Sequence, residues 1–134
     1  MEKKINIIST KNAAAPGGHY VQATEFQGLV YISGQLPVKA DGSHTTGEPF
    51  EVQVKQSLEN LLEILKAAGG SSADLLKVTV YLVGIENWPA FNRIYAEILG
   101  DVKPARSIVP VPELHYGYLI EIDAVAAVTT GKSE

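Results

Sequence analysis

The chain contains no cysteine. That absence excludes thiol nucleophiles, thiolate metal sites and a disulfide framework, and leaves the compartment open. Long apolar runs are missing too, since no stretch approaches the ~20 residues that span a bilayer as a helix. The opening Met1-Glu2-Lys3-Lys4-Ile5-Asn6-Ile7-Ile8 lacks the apolar segment and small-residue cleavage site of a signal peptide. A soluble cytoplasmic protein with no membrane partner is expected. Nor is there a surplus of positive charge: 11 Lys and Arg against 15 Asp and Glu give a formal charge of −4. The basic residues are scattered, so nucleic acid is not an expected partner. A small acidic metabolite would need only one local positive site.

Several catalytic motifs are also missing. His19, His44 and His115 lie far apart in sequence without His-x-x-x-His or Glu-x-x-His spacing, so no metal site is expected. Gly17-Gly18 do not join a strand to a helix, which removes a phosphate or dinucleotide loop. Ser33 and Ser107 lack a Gly-x-Ser-x-Gly setting, so a serine nucleophile is not supported. With 134 residues the chain fits one domain, 1–134, able to bury ~65–70% of its unfolded surface without a staple.

What is present reads as an alternation of strands and helices. Lys4 to Ile8 predicts a short strand, and the Pro and glycines of residues 12–18 a loop. His19 to Phe26 and Leu29 to Gln35, linked by Gln27-Gly28, predict a hairpin. The polar, glycine-punctuated stretch from Val38 to Gly47 predicts a mobile surface loop. Phe50, Val54, Leu58, Leu61, Leu62 and Leu65 recur at helical spacing, with Pro49 in the first turn and Gly69-Gly70 as the stop. Leu76 to Val83 is β-branched and alternating. A second helix is expected from about Trp88 to Leu99, with Trp88, Phe91, Tyr95 and Ile98 as its apolar stripe and Trp88 in the core. The polar tail from Thr129 to Glu134 is expected to fray. The pattern gives an α+β fold, one sheet covered on one face by two helices. In the last strand, Leu119, Glu121, Asp123 and Val125 share a half-apolar second face that two helices cannot also cover. A second subunit is expected to bury it, which makes the protein a homo-oligomer with clefts between chains.

Two charges stand out because they interrupt apolar, extended runs. Arg106 lies in Lys103-Pro104-Ala105-Arg106-Ser107-Ile108-Val109-Pro110-Val111, and Glu121 in Tyr118-Leu119-Ile120-Glu121-Ile122-Asp123-Ala124-Val125-Ala126-Ala127-Val128. Burying either one unpaired costs several kcal/mol, on the order of a small domain's whole stability. They read either as a structural ion pair or as a binding cleft. Around them, Tyr20 reads as a sheet-edge aromatic, Ser33 as a small residue beside Gly34, Asn92 as an exposed helix residue, and Asp123 as the partner of a lysine at a subunit boundary.

Leu29-Val30-Tyr31-Ile32-Ser33-Gly34-Gln35-Leu36-Pro37, Asn92-Arg93-Ile94-Tyr95-Ala96-Glu97, Lys103-Pro104-Ala105-Arg106-Ser107 and Leu119-Ile120-Glu121-Ile122-Asp123-Ala124-Val125-Ala126, in that order, resemble the Rid family of reactive intermediate deaminases, also called YjgF-like proteins. The resemblance covers essentially the whole chain. It implies a chorismate-mutase-like fold, with one mixed sheet of about six strands, and a homotrimer with a central barrel and ligand sites between subunits. It also implies hydrolysis of 2-aminoacrylate and related enamines or imines, released by pyridoxal-phosphate-dependent dehydratases, to 2-oxo acids and ammonia. No cofactor is implied. Carried over, Arg106 would clamp the substrate carboxylate with help from the backbone N–H of Ile108. Glu121 would hold the attacking water, and Tyr20, Ser33 and Asn92 would shape the cleft, with Tyr20 supplied by the neighbouring chain.

The chain departs from the family pattern in three places. Ile108 replaces a frequent cysteine, His19-Tyr20-Val21-Gln22-Ala23 replaces Pro-Tyr-Ser-Gln-Ala, and Leu114-His115-Tyr116-Gly117-Tyr118 is more aromatic than the archetype. These changes bear on the substrate more than on the reaction, and leave a larger or aromatic imino acid open. Two other readings compete: a metabolite-binding regulatory trimer without turnover, and a ribonuclease, which the acidic balance and the lack of a basic, aromatic-studded face disfavour.

Overall fold

A computed structural model describes residues 4–129. Six strands form one sheet: β1 (Asn6–Ile8), β2 (Ala23–Phe26), β3 (Leu29–Gln35), β4 (Leu75–Val83), β5 (Ala105–Val111) and β6 (Ile120–Ala127), in the order β1-β2-β3-β6-β4-β5. Only β4 and β5 run parallel. Two helices, α1 (Phe50–Ala67) and α2 (Trp88–Leu99), pack on one face. The sheet is mixed, as the resemblance implies, and the fold α+β, as the alternation of patterns predicts.

Local chemistry accounts for most boundaries. Gln27 and Gly28 both take positive φ, 52° and 86°, the backbone of a two-residue turn whose twist matches the strands it joins. α1 stops where Gly69 turns left-handed at φ 91°, letting the Gly70 N–H reach the Leu65 carbonyl at 2.9 Å. Pro49 stands one residue before α1 with ψ 149° rather than inside its first turn, and its carbonyl accepts from Val52 and Gln53.

Three expectations need correction. β2 begins at Ala23, not His19, because the buried Gln22 side chain ties its segment to the preceding loop instead of a strand. β1 covers only Asn6–Ile8. The buried stripe of α2 is Phe91, Ile94, Tyr95 and Leu99, while Trp88 is 39% exposed and Ile98 points outward. Trp88 opens the helix one position before Pro89, directly after the short helical turn Ile85–Asn87, none of whose residues is buried. All of the polar tail except Thr129 lies outside the described residues.

The core fills the space between helices and sheet. Val54, Leu58, Leu61, Ile64 and Leu65 of α1 and Phe91 and Ile94 of α2 meet Val78, Val80 and Leu82 of β4 and Ile120, Ile122, Ala124 and Ala126 of β6. Period-two alternation then puts Glu121, Asp123 and Val125 on the opposite face. Register adds Tyr31, opposite Val125, and Leu29, opposite Ala127, to that face. No described helix covers it, and Tyr31 is 48% exposed.

Candidate functional site

Arg106 sits on the edge strand β5 in register with the buried Val78, so its side chain leaves the sheet on the helix side. There Nη1 donates to the Asn92 Oδ1 at 3.0 Å, and the guanidinium carbon lies 4.9 Å from the Tyr95 ring centre and 5.8 Å from that of Phe91. A planar cation stacked on aromatic faces is held in orientation without being neutralised. Among the described residues the ion pairs belong to Arg93, with Glu51 at 2.8 Å and Glu97 at 3.9 Å, and Arg106 meets no carboxylate. It lines a cavity of about 400 Å³ together with Asn92, Tyr95, Lys103 and Pro104. Tyr95 is 7% exposed and its hydroxyl has no hydrogen-bond partner. Burial pushes its phenol up, and the Arg106 charge opposes that. Asn92 is thus a half-buried partner of Arg106, not a freely exposed helix residue. Ile108, two positions on, shares the face of Arg106 in register with Val80.

Glu121 is on the other side of the sheet. It faces Tyr81 in register, and a Cβ built on Gly34 would lie 2.5 Å from its Oε2, so the carboxylate rests against backbone that only glycine leaves open. The β3–β6 register shifts between Ile32 and Gln35, which brings Gly34 to this position. Two adjoining cavities, about 360 and 450 Å³, share Gly17, Tyr20, Gly34, Leu36, Tyr116 and Glu121 as lining, and Ser33 lines the second. The Tyr20 hydroxyl accepts from the Gly17 N–H at 3.1 Å, and Ser33 Oγ donates to the Val21 carbonyl at 2.7 Å. Tyr20 thus shapes a loop rather than covering a sheet edge, and Ser33 ties β3 to the segment before β2. Asp123 meets the Tyr81 hydroxyl at 3.2 Å, with Lys77 acting on it only through its charge.

Burial pushes the Glu121 carboxyl above the ordinary glutamate range, the Asp123 charge adds to this, and His115 opposes it. Arg106 has no part in that balance, because the sheet stands between the two groups. They therefore form no ion pair within one chain, and no single small ligand on one chain can touch both.

Sequence reasoning missed Gly34, His44 and Gln22 as site-forming residues, whereas Tyr116, from the aromatic stretch it singled out, lines both Glu121 cavities. The three histidines looked dispersed, yet His44 and His115 both reach Tyr116, with ring centres 4.8 and 6.0 Å away. Gln22 is 2% exposed; its Oε1 accepts from the Thr10 N–H at 2.7 Å, and its Nε2 donates to the Thr10 and Ala14 carbonyls at 3.1 and 2.8 Å. This fixes the loop that walls the Glu121 cavities. Gln22→Ala is expected to lower stability by about 1–3 kcal/mol in denaturant unfolding, since these backbone groups lose their partners. Among the described residues, no group of three or more acidic or histidine side chains is placed to hold a metal ion. No described helix is long and apolar enough to cross a membrane.

The family model described as Endoribonuclease L-PSP matches residues 10–128. A RutC family protein of Pyrococcus horikoshii is 41% identical over 120 residues, which is 90% of this chain and 95% of that protein. YyfA of Yersinia pestis, described as a conserved Rid-family protein of unknown function, aligns with a TM-score of 0.88 at 37% identity, covering 93% of this chain and 100% of its own. E. coli TdcF with bound serine aligns with a TM-score of 0.88 at 31% identity, covering 92% and 99%.

Proposed function

Since the chain belongs to the endoribonuclease L-PSP family, the Rid or YjgF-like family, we propose that it hydrolyses enamine and imine intermediates of amino acids to 2-oxo acids and ammonia as a homotrimer. The observation that carries this reading is an oriented arginine with no carboxylate of its own, beside a cavity, in a chain whose candidate base lies across the sheet. A guanidinium fork matches a carboxylate with two donors. The serine held by the E. coli relative has such a carboxylate. The open, half-apolar face with Tyr31 and Val125 supplies a surface for the neighbouring subunits, whose packing would bring the Glu121 half of one chain to the Arg106 half of the next.

In the assembled site, Arg106 and the Ile108 N–H hold the substrate carboxylate, with Asn92 fixing the guanidinium. Tyr20, Ser33 and Glu121 come from the adjacent chain. An enamine first tautomerises to the imine, whose carbon is electrophilic. Glu121 takes a proton from water as the water oxygen bonds to that carbon, and the imine nitrogen gains a proton. The resulting aminoalcohol then loses ammonia as its hydroxyl proton leaves and the carbonyl forms. Such a reaction needs positioning and one proton carrier rather than a strong nucleophile, and no cofactor enters it. Pyridoxal-phosphate-dependent dehydratases in the cytoplasm are the expected sources of substrate.

The family description names an endoribonuclease, yet a net charge of −4 and a cavity pair built around a carboxylate suit RNA phosphates poorly. Added to a serine or threonine dehydratase, the protein is expected to speed the release of pyruvate or 2-oxobutyrate from the enamine, and to behave as a trimer in sizing. Calorimetric binding of those 2-oxo acids without any rate gain would replace the enzyme with a metabolite-binding regulator.

A further inference from the structure

The cavity beside Glu121 is larger than a three- or four-carbon acid requires. At about 360 Å³ it falls in the range that encloses ligands with many more atoms. One end holds Glu121, and the outer wall comes from two segments distant in sequence, the loop with His44 and the turn with Tyr116. Ala14, Ala15 and Pro16 complete an apolar side.

The two segments are fastened together. The Tyr118 hydroxyl, on a residue 1% exposed, lies 2.7 Å from His44 Nδ1 and accepts from the Thr45 N–H at 3.1 Å. Thr46 Oγ1 donates to the Tyr116 carbonyl at 3.0 Å, and Thr45 Oγ1 to the Pro37 carbonyl at 2.7 Å. The His44 ring is stacked 5.7 Å from that of Tyr118 and tilted 4.8 Å from that of Tyr116.

Tyr116 itself has φ 63° and ψ 13°, a left-handed backbone that a bulky aromatic rarely adopts. The residue nevertheless stays 58% exposed. Packing cannot account for this arrangement, because the strained position buries little. Cross-loop bonds hold an aromatic ring in an unfavourable backbone state, with its surface open to a cavity that also contains the candidate base. Strain maintained in this way is characteristic of a binding surface.

We propose that His44 and Tyr116 form a wall that receives the substrate side chain, and that the protein favours imines of amino acids with a planar aromatic side chain. This rests on the deaminase reading. With the reacting carbon at Glu121, the side chain extends towards the rings, where offset and edge-on contacts favour a flat π surface over a methyl group.

The test compares kcat/KM for imines generated in situ from phenylalanine and from alanine by an amino-acid oxidase, alongside calorimetry with phenylpyruvate and pyruvate. The wild type is expected to favour the aromatic member of each pair by about tenfold or more. Tyr116→Gly removes the ring at a φ that glycine accepts freely, and should bring both ratios towards one, while Tyr116→Phe keeps them. A wild type that favours the alanine imine, or ratios unchanged in Tyr116→Gly, overturns the wall while leaving the deaminase reading intact. If neither imine is hydrolysed but phenylpyruvate binds in a Tyr116-dependent way, the wall stands as a ligand site and the deaminase reading fails. If nothing is hydrolysed or bound, both fall.

Discussion

Arg106→Ala is expected to cut kcat/KM for imine hydrolysis by about 10²–10³-fold, the equivalent of losing a two-point, charge-assisted contact to the substrate carboxylate. Arg106→Lys should recover little of this. An ammonium supplies a compact point charge without the planar fork that Asn92 orients and the Tyr95 ring supports. Both variants should fold, because no described carboxylate depends on Arg106 and its removal leaves no buried charge without a partner. The decisive measurement is the gain in 2-oxo acid release in the dehydratase-coupled assay, with thermal unfolding as the control. Wild-type rates in Arg106→Ala would show that the carboxylate is held elsewhere.

Glu121→Gln should be comparably severe, about 10²–10⁴-fold in kcat, since an amide keeps the shape of the side chain but cannot take a proton from water. Its pH behaviour gives a sharper check. Burial and the nearby Asp123 raise the proton affinity of Glu121 in the folded protein. In the proposed reaction the active form is the carboxylate, so activity should rise with pH through an inflection above that of an ordinary glutamate, and Glu121→Gln should lose that limb. Stability runs the opposite way. The folded state binds this proton more tightly than the unfolded state, so the contribution of Glu121 is fully present below the unfolded pKa and is lost as pH rises through the folded one. Above that window, Glu121→Gln should be at least as stable as the wild type while being far slower. A variant both slow and less stable there would point to a structural role instead.

Legibility in the sequence followed the range of the interaction. α2 was readable because the chemistry of Pro89 and Gly100 marks its ends within a few residues. The hairpin was readable because Gln27-Gly28 leaves only one kind of turn. Trp88 was misassigned because apolar character says nothing about whether a helix end has a neighbour to cover it. The strand parity of Glu121 was visible, but its side of the sheet relative to Arg106 depends on the pairing of β4 with both β5 and β6, which no local pattern encodes. Tyr116 and His44 are joined through Thr46 and Tyr118, contacts between segments that meet only after folding. The resemblance supplied Arg106, Glu121, Tyr20, Ser33 and Asn92 together, though not the side chains that set the size of the cavity around them.

The placement of the guanidinium on one side of β5 and the carboxylate on the other side of β6 has a genetic consequence for the proposed ring of three. Each chain lends its arginine to one boundary and its glutamate to the other, so a lesion in either residue silences a single boundary and spares the next. Chains crippled at Arg106 and chains crippled at Glu121, inert when alone, would regain a working centre wherever they sit side by side in the correct order. Damage confined to one allele would therefore dilute output in proportion to its abundance rather than poison the whole assembly.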